Sequence, residues 1–281
     1  MRFGLKVNPA TWPEAATWAA VAEDTGFDGL WTGDNMRNPR DPAIAVHDGP
    51  TLISAWAATT TRIRVGLLIA NMVFRRPTLL AKQAVTLDHV STGRFDLGIG
   101  SGVWPTDHGM SGVPLWTARE RAERLAEFVG IVDRLLSGDV GDHQGTHYSY
   151  QQAAMTPAPV SGSVPLIVAA NAPKALTVVA EHADGWVTFP GAAAEEDFHH
   201  ASIERIGTLE RLSWERDRNP ASLRRILLAY GAITPWASED SFARLVDRYR
   251  EIGFDEIVCY APKPAERAVF DKVVANLDAW R

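Results

Sequence analysis

The sequence predicts one (β/α)8 TIM barrel with insertions, a single domain over residues 1–281, and three observations carry that expectation. About eight short, β-rich apolar runs alternate with longer amphipathic segments along the whole chain. Eight βα units in roughly 250–300 residues are the pattern of that barrel. The runs are nearly continuous in apolar residues, as strands buried on both faces of a parallel sheet are. The first βα turn, VNPATWPE, has no glycine, whereas an open doubly wound sheet more often carries a Gly-rich phosphate fingerprint there.

The first strand is expected over residues 2–7, RFGLKV. Asn8 and Pro9 break it. Thr11 then offers an N-cap, with Pro13 near the helix start and Glu14 three residues after the cap. The Ala-rich helix that follows closes at Gly26, a C-cap residue type. FDGLWTG is the second strand. Pro39, Pro42 and Pro50 mark a loop before the helix TLISAWAATT. RIRVGLLIA, residues 62–70, is the clearest buried strand. Pro77 opens the helix PTLLAKQAVTLDHVS, and GRFDLGIGSG is a strand ending in glycines. TARERAERLAEFVGIVDRLLSG is a long amphipathic helix ended by Gly138.

Residues 139–163 are rich in Gly, Ser and Pro and lack periodicity, so an irregular insertion is expected there, with a short hairpin at 146–150. Alternation then resumes. VPLIVAAN, DGWVTFPG, LRRILLAYGAIT and DEIVCYAP are the remaining strands. Helices follow each, one of them capped by Ser238.

Composition narrows the function. The net charge is -6 and no segment is a run of basic residues, which argues against a nucleic-acid partner. The single cysteine, Cys259, excludes an internal disulfide framework and a Cys-rich zinc site, and fits a reducing compartment. No apolar run approaches the roughly 20 residues of a membrane span, and the start lacks the apolar core of a signal peptide. A cytoplasmic protein with no membrane partner is expected.

Barrel active sites lie at the C-terminal ends of the strands. Those ends carry Asn8, then Thr32 to Asn35, then Ala70 to Met72, followed by Arg75. No His, Asp or Glu cluster has metal-ligand spacing; Asp107-His108 and His199-His200 come nearest, and no metal is expected. GIGSGV lacks the spacing of a nucleophile elbow, and paired glycosidase acids are missing. The rim is apolar and aromatic, with small polar residues. A wide planar cofactor would suit it, carrying the hard chemistry while the protein orients. The alternating Gly98, Gly100 and Gly102 would let backbone approach a flat ligand, or simply make a tight turn. VAANAPKAL sets small residues before a helix N-terminus, a phosphate site or a plain turn.

RRPTLLAKQAVTLDHVSTGRFDLGIGSG, residues 75–102, resembles the signature region of the bacterial luciferase-like superfamily of flavin-dependent monooxygenases and F420-dependent oxidoreductases. The resemblance continues through GVPLWTARERAERLAEFVGIVDRLLSG, PAPVSGSVPLIVAANAPKALTVVAEHADGWVT and YREIGFDEIVCYAP, in order and over nearly the whole chain. It implies a (β/α)8 barrel with insertions.

In F420-dependent members the second strand ends in Ser-Asp-His. The matching residues here are Gly33, Asp34 and Asn35, so the resemblance implies Asp34 and Asn35 as catalytic residues. Asn35 stands where the His would be and cannot carry a proton near neutral pH. A bulge with a non-prolyl cis peptide against the cofactor ring is implied at Leu68, Ile69 and Ala70. The cofactor site also takes in Gly100, Ser101 and Gly102. Its phosphate end maps onto Ala169, Ala170, Asn171 and Ala172 with Thr188, Phe189, Pro190 and Gly191. Arg75 and Lys174 are candidate phosphate cations, and Val103 replaces the Glu of sugar-phosphate-oxidising relatives. Asn8, His47, Trp104 and His108 are candidates for the substrate pocket.

The implied function is hydride transfer between F420 and a small-molecule substrate. The alternatives are an FMN-dependent monooxygenase and a non-catalytic flavin-binding barrel. A homodimer, and a separate flavin or F420 reductase, are the implied partners.

Overall fold

The computed structural model describes residues 1–281. Ten strands and nine α-helices alternate along it. They are β1 (Arg2–Lys6), α1 (Trp12–Asp24), β2 (Gly29–Thr32), α2 (Gly49–Thr59), β3 (Arg64–Asn71), α3 (Pro77–Ser91) and β4 (Phe95–Gly100). Then come α4 (Pro105–Met110), α5 (Ala118–Leu136), β5 (Gly141–Gln144), β6 (Ser149–Ala153), β7 (Leu166–Ala169), α6 (Pro173–His182) and β8 (Gly185–Thr188). The chain ends with α7 (Glu195–Trp214), β9 (Arg224–Ala229), α8 (Glu239–Glu251), β10 (Glu256–Tyr260) and α9 (Arg267–Val274). Eight parallel strands close a barrel in the order β1-β10-β9-β8-β7-β4-β3-β2, so the expected (β/α)8 fold is the observed one.

The capping residues act as their chemistry predicts. Thr11 accepts from Glu14 N at 3.4 Å, Thr117 from Glu120 N at 3.2 Å and Ser238 from Ser241 N at 3.0 Å. Three details differ from expectation. The insertion hairpin is wider, pairing β5 with β6 across 141–153. The seventh barrel strand stops at Ala229, short of the expected LRRILLAYGAIT, so Tyr230 and Gly231 form its end. A short helix, α4, follows β4 where a loop was expected.

Two apolar layers hold the barrel. Outside, the helices bury one large cluster against the strands. Inside, Trp31, Leu68, Ile167, Val187, Ile226, Leu228 and Val258 pack against one another. Trp31 is the largest of these and is fully buried. Glycines on three neighbouring strands make room for it. A Cβ would stand 2.6 Å from Trp31 Nε1 at Gly4 and 2.7 Å from it at Gly29, and at Gly66 it would enter the ring.

Below Trp31 the strand starts converge in an ion cluster. Asp96, fully buried, receives Arg64 at 2.7 Å and Arg224 at 3.1 Å. Glu256 lies 3.6 Å from Arg224 and 3.8 Å from Arg2. Burial alone would raise the Asp96 carboxyl, but Arg224 and Arg64 outweigh it and hold it below its ordinary value. Burial raises Glu256, against the pull of the same Arg224. The N-terminal end of the barrel is therefore filled, and any cavity must open at the other end.

Candidate active site

A cavity of about 600 Å³ opens at the C-terminal ends of the strands. Its wall takes in Asn8, Asp34, Asn35, His47, Leu68, Ile69, Gly100, Ser101, Gly102, Trp104, Ala169 and Phe189, twelve of the sequence-predicted residues. Ala70 and Ala170 are buried in the surrounding core instead. His108 is also buried. Its two ring nitrogens lie 2.9 Å from the carbonyls of Pro114 and Gly102, so it ties the loop after β4 together and does not reach the cavity. That placement argues against a substrate contact for His108.

Asp34 ends β2 with both carboxylate oxygens engaged. It pairs with Arg75, accepts from Asn71 N at 3.0 Å, and accepts from Gly49 N at 3.4 Å at the start of α2. Arg75 also lies 3.3 Å from Asp48. Arg75 is thus committed to carboxylates and is not free to hold a phosphate.

Asn35 donates Nδ2 to Asp107 Oδ2 at 3.0 Å, and Asn71 Nδ2 donates to the same oxygen at 2.9 Å. Met36 N donates to Asp107 Oδ1 at 3.2 Å. Burial pushes the Asp107 carboxyl up, and the hydrogen bonds from Asn35 and Met36 oppose it. Because a carboxylate only accepts, Asp107 fixes the Asn35 amide with its oxygen turned away from it.

At the bulge, β3 and β4 lose register between Leu67 and Ala70, and the Leu68–Ile69 peptide bond is cis. This explains the glycines of β4. A Cβ at Gly98 would strike the Leu67 carbonyl, and one at Gly100 would strike Ile69 Cδ1. One at Gly102 would lie 2.7 Å from Asn71 Oδ1. The bulged neighbour strand and the residues that follow it approach this backbone closely.

Lys6, at the end of β1, was not singled out by sequence. It is 3% exposed, donates to the Leu68 carbonyl at the bulge, and lines the cavity. Burial lowers its ammonium to about 7. Gly33 leaves an opening around it. A Cβ there would lie 3.4 Å from Lys6 Nζ, 3.6 Å from Asn35 Oδ1 and 4.0 Å from Asn8 Oδ1. Tyr260 closes one side, its ring centre 5.6 Å from Lys6 Nζ. Tyr230 meets Tyr260 edge-on at 5.9 Å and stacks on Phe189 at 6.2 Å, which gives the cavity an aromatic wall.

Ala169 and Phe189 connect that wall to the expected phosphate turn. Asn171 donates to the Phe189 carbonyl at 2.9 Å and accepts from Thr188 at 2.7 Å, which locks the two strand ends together. Thr188 and Pro190 are buried behind the turn, while Ala172 and Gly191 lie on its outer side and not on the cavity wall. Ala172 caps α6 without a side-chain acceptor, Pro173 has no N–H and Ala175 N donates to Ala172 O at 3.0 Å, so of the first three helical positions Lys174 alone offers a backbone N–H to an anion. Lys174 is exposed. The cation at this turn is Arg205 of α7, 3.3 Å from both Asn171 O and Thr188 Oγ1. One sign of it was in the sequence: Arg205 sits beside the buried stripe Phe198, Ser202, Ile206 and Leu209.

Comparisons place this barrel among known ones. The description "luciferase-like monooxygenase" fits residues 2–239 of the chain. An F420-dependent glucose-6-phosphate dehydrogenase of Microbacterium testaceum is 27% identical over 198 residues, 69% of this chain and 58% of the relative. The chain spans little more than half the length of such curated relatives. Two solved structures share the fold. An F420-dependent secondary alcohol dehydrogenase in complex with an F420-acetone adduct superposes with a TM-score of 0.85 at 17% identity, covering 100% and 99% of the two chains. The oxygenating constituent of 3,6-diketocamphane monooxygenase from Pseudomonas putida, in complex with FMN, does so with 0.76 at 14% identity, covering 98% and 96%. With a match across most of its length and a closed eight-strand barrel to support it, the chain belongs to the luciferase-like monooxygenase family of flavin- and F420-dependent enzymes.

Proposed function

We propose that the protein is an F420-dependent oxidoreductase acting on a small organic substrate. The observation that carries this reading is an aromatic cavity beside an anion-type turn. The cavity is walled by the β3 bulge and by Phe189, Tyr230 and Tyr260, and its wall residues Ala169 and Phe189 adjoin the turn at Asn171, which Arg205 backs at the start of α6. A flat ring fits the first part and a phosphate the second. When bound, the reduced deazaflavin supplies a hydride. Leu68, Ile69, Gly100, Ser101 and Gly102 would hold the ring. Ala169, Asn171, Ala172, Phe189 and Gly191 would hold the phosphate end, with Ala170, Thr188 and Pro190 packed behind them.

In this reading Asp34 is a positioning residue. It anchors Asn71 and Arg75 beneath the site, while Asn35, aligned by Asp107, presents its carbonyl oxygen to the ligand. Asn8, His47 and Trp104 shape the substrate end. Val103, exposed at the mouth, carries no acid for sugar oxidation. A homodimer in the cytoplasm, served by a separate reductase, completes the proposal.

Titration of the protein with F420 and with FMN, followed by fluorescence, is the test. Quenching by F420 at micromolar concentration is expected. Tight binding of FMN without F420 would replace this function with the monooxygenase reading, and binding of neither would favour a barrel without catalysis.

A further inference from the structure

We propose that Lys6 is the proton donor of this site, in the role that Asn35 cannot fill. The proposal rests on the function above and extends it to this chain's own chemistry. Hydride delivery to a polarised C=O or C=N bond leaves a negative charge on the heteroatom, and some group must protonate it. Neither of the residues at the end of β2 can do so. The Asp34 carboxylate is taken up by Arg75 and two backbone N–H groups. The Asn35 amide donates hydrogen bonds but has no proton acidic enough to transfer near neutral pH.

Lys6 meets the geometric requirement. Lys6 lines the cavity, and its Nζ borders the opening left by Gly33, which the neutral amide oxygens of Asn35 and Asn8 also border. No carboxylate is within salt-bridge distance of it. The groups facing it are the Leu68 carbonyl from β3 and the Tyr260 ring from β10. The other titratable or charged groups on the same wall are Asp34, Arg40, His47, Tyr230, Lys263 and Glu266. An ammonium so placed is destabilised by burial and ready to give its proton near neutral pH.

The step balances. The substrate carbon gains the hydride and its two electrons, the π bond breaks, and the heteroatom takes a proton from Lys6 Nζ. Lys6 is left as a neutral amine and is reprotonated by water. In the reverse direction the same amine accepts the proton. Reduction therefore slows as pH rises through the Lys6 titration, and oxidation quickens.

Two measurements test this. Protein carrying lysine labelled with 13C at Cε is titrated by NMR, and Lys6→Met identifies its signal among the five lysines. A midpoint near pH 7 is expected; one near the ordinary value of about 10.4 would overturn the proposal. In the second, Lys6→Met and Lys6→Gln are compared with wild type for F420 affinity and for turnover against pH. The expected result is F420 affinity within twofold of wild type, a rate lowered about 10²–10⁴-fold, and loss of the limb near pH 7. Normal turnover with an unchanged pH profile in variants that bind F420 overturns the role of Lys6 alone. Failure of the wild type to bind F420 overturns the function on which it rests.

Discussion

Lys6 is held in the fold against its own charge. In an open chain its ammonium titrates at about 10.4, and here at about 7. Between those values the unfolded chain binds more protons than the folded one, so stability rises with pH across that window, and the full penalty is present below about pH 7. Lys6→Met is therefore expected to melt above wild type at pH 6, with a gain that shrinks toward pH 10. A gain that does not change with pH would count against the buried ammonium. The Asp34–Arg75 pair works in the opposite sense. Its side chains are only 2% and 7% exposed, so Asp34→Ala strands a buried guanidinium and is expected to lose about 3–5 kcal/mol in urea unfolding. Asp34→Ala with Arg75→Met should recover much of that loss. Asp34 could be picked out in the sequence because its place at a strand end does not depend on side-chain direction. Lys6 could not, because in RFGLKV nothing tells which residues face the barrel interior until the sheet is closed.

At the scale of elements, helix ends were legible where a local bond decides them, as at Thr11 and Ser238. Elements set by distant contacts were not. The six residues of α4 are too few to show a period. The alternating glycines of β4 were visible, but their cause was not, since it lies on another strand and in a bulge that only pairing reveals. That cause makes a test. Gly100→Ala drives a Cβ into Ile69 Cδ1 and is expected to cost about 1–3 kcal/mol, as overpacking does. Ile69→Val deletes that methyl group and should return part of the loss, measured as coupling in a double-mutant cycle. Strict additivity of the two changes would rule out the contact.

The whole barrel was legible because its alternation repeats eight times and survives errors in any one unit. The filling of its N-terminal end was not, since Trp31, three glycines and five charged residues come together from separate strands. Asp96 is central there. Its carboxyl is held below its ordinary value, so the stability it contributes is present above the unfolded carboxylate range and is lost as pH falls through the folded value. Asp96→Asn is expected to unfold about 3–5 kcal/mol more easily at pH 7, with the difference from wild type closing in strong acid. The same filled end has a kinetic meaning. A cul-de-sac has one entrance, so what lies deepest must arrive first and leave last. If the flat ring rests on the bulge at Leu68 and Ile69, the substrate can only follow it in. Steady-state turnover is then compulsory-ordered, with the small molecule unable to bind productively to the free protein, and product-inhibition patterns of a random mechanism would show a second way in.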